Sequence, residues 1–151
     1  IMDGLKLREA TISDIDLIFE WANDIDERKY SFNPQKINYK DHCQWYEKRM
    51  NDEDTIIYIL LRDTIAIGQC RIELEGDNAL ISYFIDKSYR NRGYGKRLLK
   101  MVEKVIRGKY PAIKSLKAQV KCDNKPSQKV FLAMGYIEKD FDKFKEYKLL
   151  L

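Results

Sequence analysis

The residues with the clearest chemical potential form a glycine-rich loop at the start of an amphipathic segment. The apolar run Tyr83–Ile85 is followed, after a short turn, by the spacing Arg90-x-x-Gly93-x-Gly95. A strand that leads through glycines into a helix exposes free backbone N–H groups at the positive end of the helix dipole. Glycines also let an anion approach the backbone closely. The pattern predicts a phosphate-binding loop, whose candidate residues are Arg90, Asn91, Arg92, Gly93, Tyr94, Gly95 and Lys96.

The glycine spacing excludes two common phosphate-binding loops. It is neither Gly-x-Gly-x-x-Gly, the dinucleotide fingerprint, nor Gly-x-x-x-x-Gly-Lys-Ser/Thr, the loop of nucleotide hydrolases. It resembles the acyl-CoA-binding signature of the Gcn5-related N-acetyltransferases, the GNAT superfamily. The resemblance implies that acetyl-CoA is the co-substrate and that this loop holds its pyrophosphate.

A second block is similar to the second cofactor motif of the same superfamily. In that motif an Asn ends a strand, a small residue follows after three positions and an aromatic residue after seven, and a Gly-aromatic pair ends the helix. Here these positions are Asn124, Ser127, Phe131 and Gly135-Tyr136. Two motifs in the right order extend the resemblance to nearly the whole chain. The resemblance implies that Asn124, Ser127 and Phe131 bind the cofactor.

Hydrophobic periodicity predicts a strand, two helices, three strands, a helix, a strand, a helix and two final strands. The polar segment 24–34 is predicted to be an irregular loop. This order favours an α/β (α+β) fold, with a mixed, mostly antiparallel sheet of six or seven strands, helices on both faces and one domain over residues 1–151. In the fold that the resemblance implies, two parallel strands splay apart. The pantetheine arm lies in the gap and pairs with the backbone of Tyr83 and Ile85.

Composition and charge limit the classes of function. The chain has 151 residues, of which 44% are hydrophobic, and a net charge of +4. This mild basic excess argues against a nucleic-acid binder, which concentrates charge on one face. Cysteines at 43, 70 and 122 form no Cys-x-x-Cys pair and accompany one histidine, so we expect no metal site. Scattered thiols suit a reducing cytoplasm, and no apolar run reaches 18 residues. We expect a cytoplasmic protein without a membrane span, either a monomer or a homodimer.

Acyl transfer to an amine needs a neutral amine, and neutralising a lysine-like amine at pH 7 costs about 4–5 kcal/mol. The superfamily often places a proton-donating Tyr where this chain has Phe131, and an acidic base where it has Ala79–Ser82. No catalytic residue is therefore assigned. The candidates are Glu73, which lies on the strand before the loop, and His42, which is suited to proton transfer near neutrality. Four tyrosines can also supply a proton: Tyr30, Tyr39, Tyr83 and Tyr94.

The region after the first predicted helix forms the acceptor wall in this superfamily. Here it carries Arg28, Tyr30 and the spacing Ile37-x-x-x-x-His42-x-x-Trp45. This region resembles the branch that acetylates nucleotide-linked amino sugars in pseudaminic- and legionaminic-type pathways. Arg28 can bind a diphosphate, and Tyr30 can stack on a uracil or sugar face. We take Arg28, Tyr30 and His42 as the candidate substrate-binding residues.

The sequence thus predicts an acetyl-CoA-dependent N-acetyltransferase whose partner is a small-molecule primary amine. Two alternatives remain open. Relatives that modify ribosomal-protein N-termini share the His42-x-x-Trp45 region, so the acceptor can be a protein or peptide N-terminus. Phe131 and the missing carboxylate also allow a noncatalytic acyl-CoA-binding module.

Overall fold

The computed structural model describes residues 4–151, so residues 1–3 of the predicted domain lie outside it. The described chain forms a seven-stranded sheet with helices packed against it. The strands are β1 (Leu5–Glu9), β2 (Thr55–Arg62), β3 (Ile65–Glu75), β4 (Asn78–Ile85), β5 (Ser115–Lys121), β6 (Ile137–Asp140) and β7 (Phe144–Leu150). The α-helices are α1 (Ile15–Ala22), α2 (Ile25–Tyr30), α3 (Tyr39–Met50), α4 (Tyr94–Lys109) and α5 (Lys125–Ala133).

The sheet has the order β1-β2-β3-β4-β5-β7-β6. Neighbouring strands are antiparallel except β4 and β5, which are parallel. The parallel pairing joins Asn78–Leu80 to Ser115–Lys117, and beyond these residues the two strands no longer pair. The predicted fold class, including the splayed parallel strands, is therefore confirmed.

Strand β2 shows why both faces of the sheet are covered. Its residues alternate between two hydrophobic clusters, because successive side chains of a strand point to opposite faces. Ile56, Tyr58 and Leu60 belong to the cluster that includes α4 and Phe131 of α5. Ile57, Ile59 and Leu61 belong to the cluster that includes α1 and α3. A strand buried on both sides has no polar alternation, which explains its continuous apolar sequence.

The predicted irregular loop at 24–34 is wrong in part, because α2 occupies Ile25–Tyr30. The Asp24 side chain caps this helix by accepting hydrogen bonds from the backbone N–H groups of Asp26 (3.0 Å) and Glu27 (3.1 Å). Acidic residues lie in its first turn and basic residues in its last turn, which suits the helix dipole. No residue of α2 is buried, so the apolar periodicity that marks the other helices is missing.

A partly buried ion pair joins the first strand to the turn before α1. Both guanidinium Nη atoms of Arg8 lie 2.8 Å from the carboxylate oxygens of Asp14, which also accepts a bond from the Thr11 N–H. The hydrogen bonds from Arg8 hold the pKa of Asp14 below its ordinary value of 3.8, although burial opposes the shift. Because the pKa is lower in the folded state, the stabilisation is present above the unfolded value and is lost as pH falls through the folded value.

We expect Asp14→Asn to lower the free energy of unfolding by about 2 kcal/mol at pH 7, since it removes a charge-assisted hydrogen-bonded pair. Urea denaturation at pH 7 and at pH 3 measures the effect, which should be smaller at the lower pH. The exposed Asp142 provides the control variant Asp142→Asn. Equal stability of Asp14→Asn and the native chain at pH 7 would contradict the assignment.

Candidate active site

The divergence of β4 and β5 opens a cleft of about 460 Å³ in the middle of the sheet. Residues Leu80–Phe84 of β4 form one wall and Lys117–Val120 of β5 form the other. Backbone groups of these strands that would pair in a continuous sheet are left to a ligand or to water. A cleft with strand backbone on two sides can hold an extended arm of amide character in the manner of an added strand.

The glycine-rich loop lies at the end of β4 and leads into α4. Gly93 is the N-cap of α4 and has φ of 83°, in the left-handed region that favours glycine. A Cβ atom on Gly93 would meet no atom within 4 Å, so the loop is open to a ligand there. A Cβ on Gly95 would lie 3.1 Å from the ring of Tyr83, so Gly95 allows the helix to approach β4 closely.

The other predicted loop residues take different positions. Asn91, Arg92 and Lys96 are exposed, and the Arg92 guanidinium lies 5.6 Å from the ring centroid of Tyr89. Tyr94 is buried in the hydrophobic cluster beneath α4, so its side chain serves packing while its backbone lies at the helix start. The assignment of this loop to a cofactor remains a prediction, and the free N–H groups at the start of α4 are the feature that favours it.

Arg90 was predicted to contact phosphate, but its guanidinium is engaged by the protein itself. Its Nε donates to the carbonyl of Ile85 (2.9 Å), and its Nη atoms lie 2.9 Å from Asp26 and 3.1 Å from Asp24. These two carboxylates belong to α2 and its cap, which the sequence did not predict. The same bond occupies the carbonyl oxygen of Ile85, so Tyr83 is the better candidate for backbone contact with an extended ligand.

The residues of the second motif lie together at the cleft. Asn124, Ser127 and Phe131 line the cleft together with Tyr83. The Asn124 side chain caps α5 by accepting a hydrogen bond from the Ser127 N–H (3.3 Å). Phe131 is 1% exposed, stacks on Tyr147 with centroids 5.4 Å apart, and meets the edge of Tyr83 at 5.8 Å.

Tyr83 can supply the proton that Phe131 cannot. Burial raises the pKa of the Tyr83 hydroxyl above 10.0, although a hydrogen bond with the Ser127 side chain opposes the shift. The hydroxyl therefore keeps its proton at physiological pH. Because Tyr83 contacts Phe131 and lines the same cleft, it offers an acid close to the position where the superfamily often has one.

A second cavity of about 340 Å³ adjoins the cleft. Five residues line both spaces, so the two meet at Glu27, Arg28, Gln69, Arg71 and Phe84. Side chains from α1 and α3 form the remaining walls, among them Trp21, Trp45, His42 and Asp41. The second cavity thus has aromatic walls and acidic or basic groups at its junction with the cleft.

The two catalytic candidates from the sequence are both held by neighbouring groups. His42 lines the second cavity but is 2% exposed, and its Nε2 lies 2.8 Å from the carbonyl oxygen of Ile15. Glu73 lines the cleft, with carboxylate contacts of 3.8 Å to Arg49 and to Arg71. Neither geometry places an unengaged base at the junction of the two cavities.

Arg28 lies at that junction, but its donors are used by the end of α1 and by the segment that follows α2. The guanidinium bonds to the carbonyls of Ala22 (2.6 Å), Asn33 (2.8 Å) and Gln35 (3.2 Å), and to the Ser31 hydroxyl (3.0 Å). Instead of presenting free donors to a diphosphate, Arg28 shapes the wall of the cavity. Tyr30 lines the cleft beside it, with the Lys29 ammonium 5.3 Å from its ring centroid.

Glu27 lies at the junction of the two cavities, although the sequence did not predict it as a site residue. It is partly buried and lines both cavities. Burial raises the pKa of its carboxyl above 4.5, a shift that Arg28, Arg71 and Arg90 oppose. An Asp followed three residues later by a Glu is a helix N-terminal signature. That spacing, Asp24-x-x-Glu27, could have predicted α2 and placed Glu27 on it.

The sequence pattern of the Acetyltransferase (GNAT) domain matches residues 4–137. The chain belongs to the GNAT family of acetyltransferases, and its mixed sheet with the parallel β4–β5 pair has the fold of this family. No curated protein matches it in sequence.

Solved structures of acetyltransferases share its fold. A spermidine N-acetyltransferase from Vibrio cholerae, in complex with CoA and spermine, superposes with a TM-score of 0.85 at 16% identity, covering 99% of this chain and 96% of that one. The ribosomal L7/L12 alpha-N-protein acetyltransferase RimL, in complex with coenzyme A, gives 0.84 at 14% identity over 100% and 96%. An aminoglycoside acetyltransferase in complex with coenzyme A gives 0.83 at 14% identity over 97% and 94%.

Residues 4–151 lack two further features. None of their helices is both long and apolar enough to cross a membrane. Among these residues, no group of three or more His, Cys, Asp and Glu side chains could hold a metal ion.

We expect Arg28→Ala to loosen the segment 31–37, because Arg28 supplies hydrogen bonds to three of its residues. Hydrogen exchange followed by mass spectrometry should show at least tenfold faster exchange there, corresponding to about 1–3 kcal/mol of lost hydrogen bonding. Lys29→Ala, one position along the same helix, is the matched control. Unchanged exchange in Arg28→Ala would show that the segment is held by other contacts.

Proposed function

We propose that this chain transfers the acetyl group of acetyl-CoA to the primary amine of a nucleotide-linked amino sugar. The observation that carries the proposal is the meeting of two cavities at Glu27, Gln69 and Arg71. The cleft between the splayed strands accommodates the acyl donor, and the aromatic cavity accommodates the acceptor. Their junction is where the thioester carbonyl and the amine come together.

The donor side follows from the two motifs. The pyrophosphate of acetyl-CoA binds at the start of α4, where Gly93 leaves the backbone open. The pantetheine arm extends along the unpaired edge of β4 at Tyr83, and Asn124, Ser127 and Phe131 line its path. Holding donor and acceptor in contact can lower the barrier by roughly 7–11 kcal/mol, which makes positioning the largest contribution.

The departing thiolate needs little help. A thiolate is a fairly good leaving group, and Tyr83, which lines the cleft, carries a hydroxyl that can protonate it. This arrangement weakens one of the two grounds for a noncatalytic module, the missing Tyr at position 131; the other is the missing carboxylate at Ala79–Ser82.

The residues of the second cavity favour an acceptor molecule that has a ring and a weakly basic amine. Trp21, Trp45 and Phe84 line the second cavity and can pack against the apolar face of a sugar. Phe32, which is 58% exposed beside the cleft, is placed to stack on a base. Neighbouring oxygens lower the basicity of a sugar amine, so its deprotonation costs less than that of a lysine. The sequence resemblance to the nucleotide-amino-sugar branch supports the same class.

A protein or peptide N-terminus is the second candidate acceptor. The sequence His42-x-x-Trp45 occurs in relatives of that kind, and both side chains line the second cavity. An α-amino group is also less basic than a lysine side chain. A cytoplasmic location, a monomeric or dimeric state and the absence of nucleic-acid partners remain predictions of the sequence.

We expect coenzyme A to raise the melting temperature of the native chain, because it binds the folded state alone. Gly93→Glu should abolish this increase by placing a carboxylate where phosphate binds. Gly76→Glu is the matched control, since Gly76 also has positive φ (61°) and open space but lies at the other end of β4. If millimolar coenzyme A stabilises Gly93→Glu as much as the native chain, the loop does not bind the cofactor.

The acceptor class is tested by supplying acetyl-CoA with UDP-4-amino-sugars or with N-terminal peptides and measuring thiol release. We expect turnover of the amino sugars and at least tenfold lower kcat/KM for the peptides. Trp45→Ala should raise the KM for the sugar acceptor with little change in coenzyme A affinity, because Trp45 lines the second cavity and not the cleft. Turnover of peptides alone would favour the second candidate.

A further inference from the structure

We propose that Glu27 is the general base that removes the proton from the acceptor amine. The inference rests on the proposed function, because it assigns a residue to the reaction at that site. No carboxylate stands in Ala79–Ser82, where the superfamily often has its base. Glu27 comes instead from α2, on the opposite side of the junction.

The position of Glu27 carries the proposal. It is a carboxylate that lines both the cleft and the second cavity. An amine in the aromatic cavity and a thioester in the cleft would therefore both lie next to Glu27. The other acidic side chains of these walls each line one of the two spaces, Asp41 the second cavity and Glu73 the cleft.

Helix α2 is held across the opening of the cleft, which fixes Glu27 there. On one side, Arg90 binds Asp24 and Asp26 at 3.1 and 2.9 Å. On the other side, the Lys121 ammonium of β5 donates to the carbonyl of Lys29 (3.3 Å). The rings of Phe32 and Phe144 of β7 also meet there, 6.0 Å apart. A six-residue helix with no buried residue is thus positioned from both ends, so its central glutamate is a preorganised group.

The surroundings of Glu27 make it a stronger base than an exposed glutamate. The charged and titratable groups that act on Glu27 are Asp24, Arg28, Arg71, Arg90 and Tyr83. Burial raises the pKa of the carboxyl, Asp24 adds to the shift, and the three arginines reduce it. Because the net shift of the pKa is upward, the basicity of Glu27 lies closer to that of the amine, which favours proton transfer.

In the proposed reaction, the acceptor nitrogen gives up two protons. The acceptor enters as an ammonium ion and gives one proton to a carboxylate oxygen of Glu27. The neutral nitrogen attacks the thioester carbon, forming the C–N bond, and the C–S bond then breaks. The nitrogen's second proton neutralises the departing thiolate, either directly or by way of the Tyr83 hydroxyl. Glu27 finally releases its proton to solvent, so the products are the amide, coenzyme A and one proton.

The test is Glu27→Gln, which keeps the shape of the side chain and removes the base. We expect kcat at pH 7 to fall at least 100-fold, the range for loss of a general base, with the coenzyme A Kd unchanged. Glu20→Gln, an exposed position on α1, is the matched control and should retain native kcat. Glu73→Gln tests the competing carboxylate, and a larger loss there than in Glu27→Gln overturns the proposal.

The pH profile separates a base from a residue that only shapes the wall. The native kcat should reach a plateau once Glu27 is ionised. In Glu27→Gln the amine must lose its proton to solvent, so kcat should keep rising, about tenfold per pH unit, up to the pKa of the amine. A defect that is the same at every pH overturns the assignment of Glu27 as the base.

The two proposals fail in different ways. Native turnover of the amino sugar with equal kcat for Glu27→Gln overturns the role of Glu27 and leaves the proposed function standing. Coenzyme A binding without native turnover of any amine overturns both.

Discussion

The parallel pairing between β4 and β5 is the constraint on which the site depends, because it stops after three residue pairs. A sheet interior normally pairs all its backbone groups, since an unpaired buried N–H or carbonyl is costly. Here the gap opens where α4 and α5 both begin, so each new helix presents its free N–H groups near the opening. One hydrophobic cluster keeps the divided sheet together, because Ile81 of β4 and Val120 of β5, which lie on either side of the gap, both belong to the cluster under α4.

The sequence predicted the parts of this arrangement that depend on local chemistry. The glycine loop, the strand-to-helix motif that begins at Asn124 and the continuous apolar strand β2 each carry a signal within a few residues, and the structure has the corresponding elements at those places. The divergence of β4 and β5 was expected only from the family resemblance. No local sequence pattern indicates where the pairing between two strands 30 residues apart will end. What could not be predicted depends on distant contacts, above all the bond between Arg90 and Asp26, which are 64 positions apart.

The presence of helix α2, which the sequence did not predict, changes the interpretation of several residues. Without it, Arg90 was an unpaired cation in the predicted cofactor loop and Arg28 was one in the predicted acceptor wall, and phosphate binding was the natural expectation for both. With it, Arg28 is engaged by loop carbonyls and Arg90 by carboxylates. The residue that α2 turns toward the junction, Glu27, had no apparent role in a sequence reading that treated its segment as a loop.

The Arg90 contacts couple the position of the glycine-rich loop to the position of helix α2. Arg90 lies in the loop before α4 and holds α2, so any shift of the loop on closing around an anion also moves the helix that bounds the acceptor cavity. Linkage then requires the reverse effect to be of equal size: an acceptor that orders α2 must tighten the loop around the donor. On the proposed function, we therefore expect the two substrates to bind cooperatively, so that neither affinity has a single value independent of the other substrate.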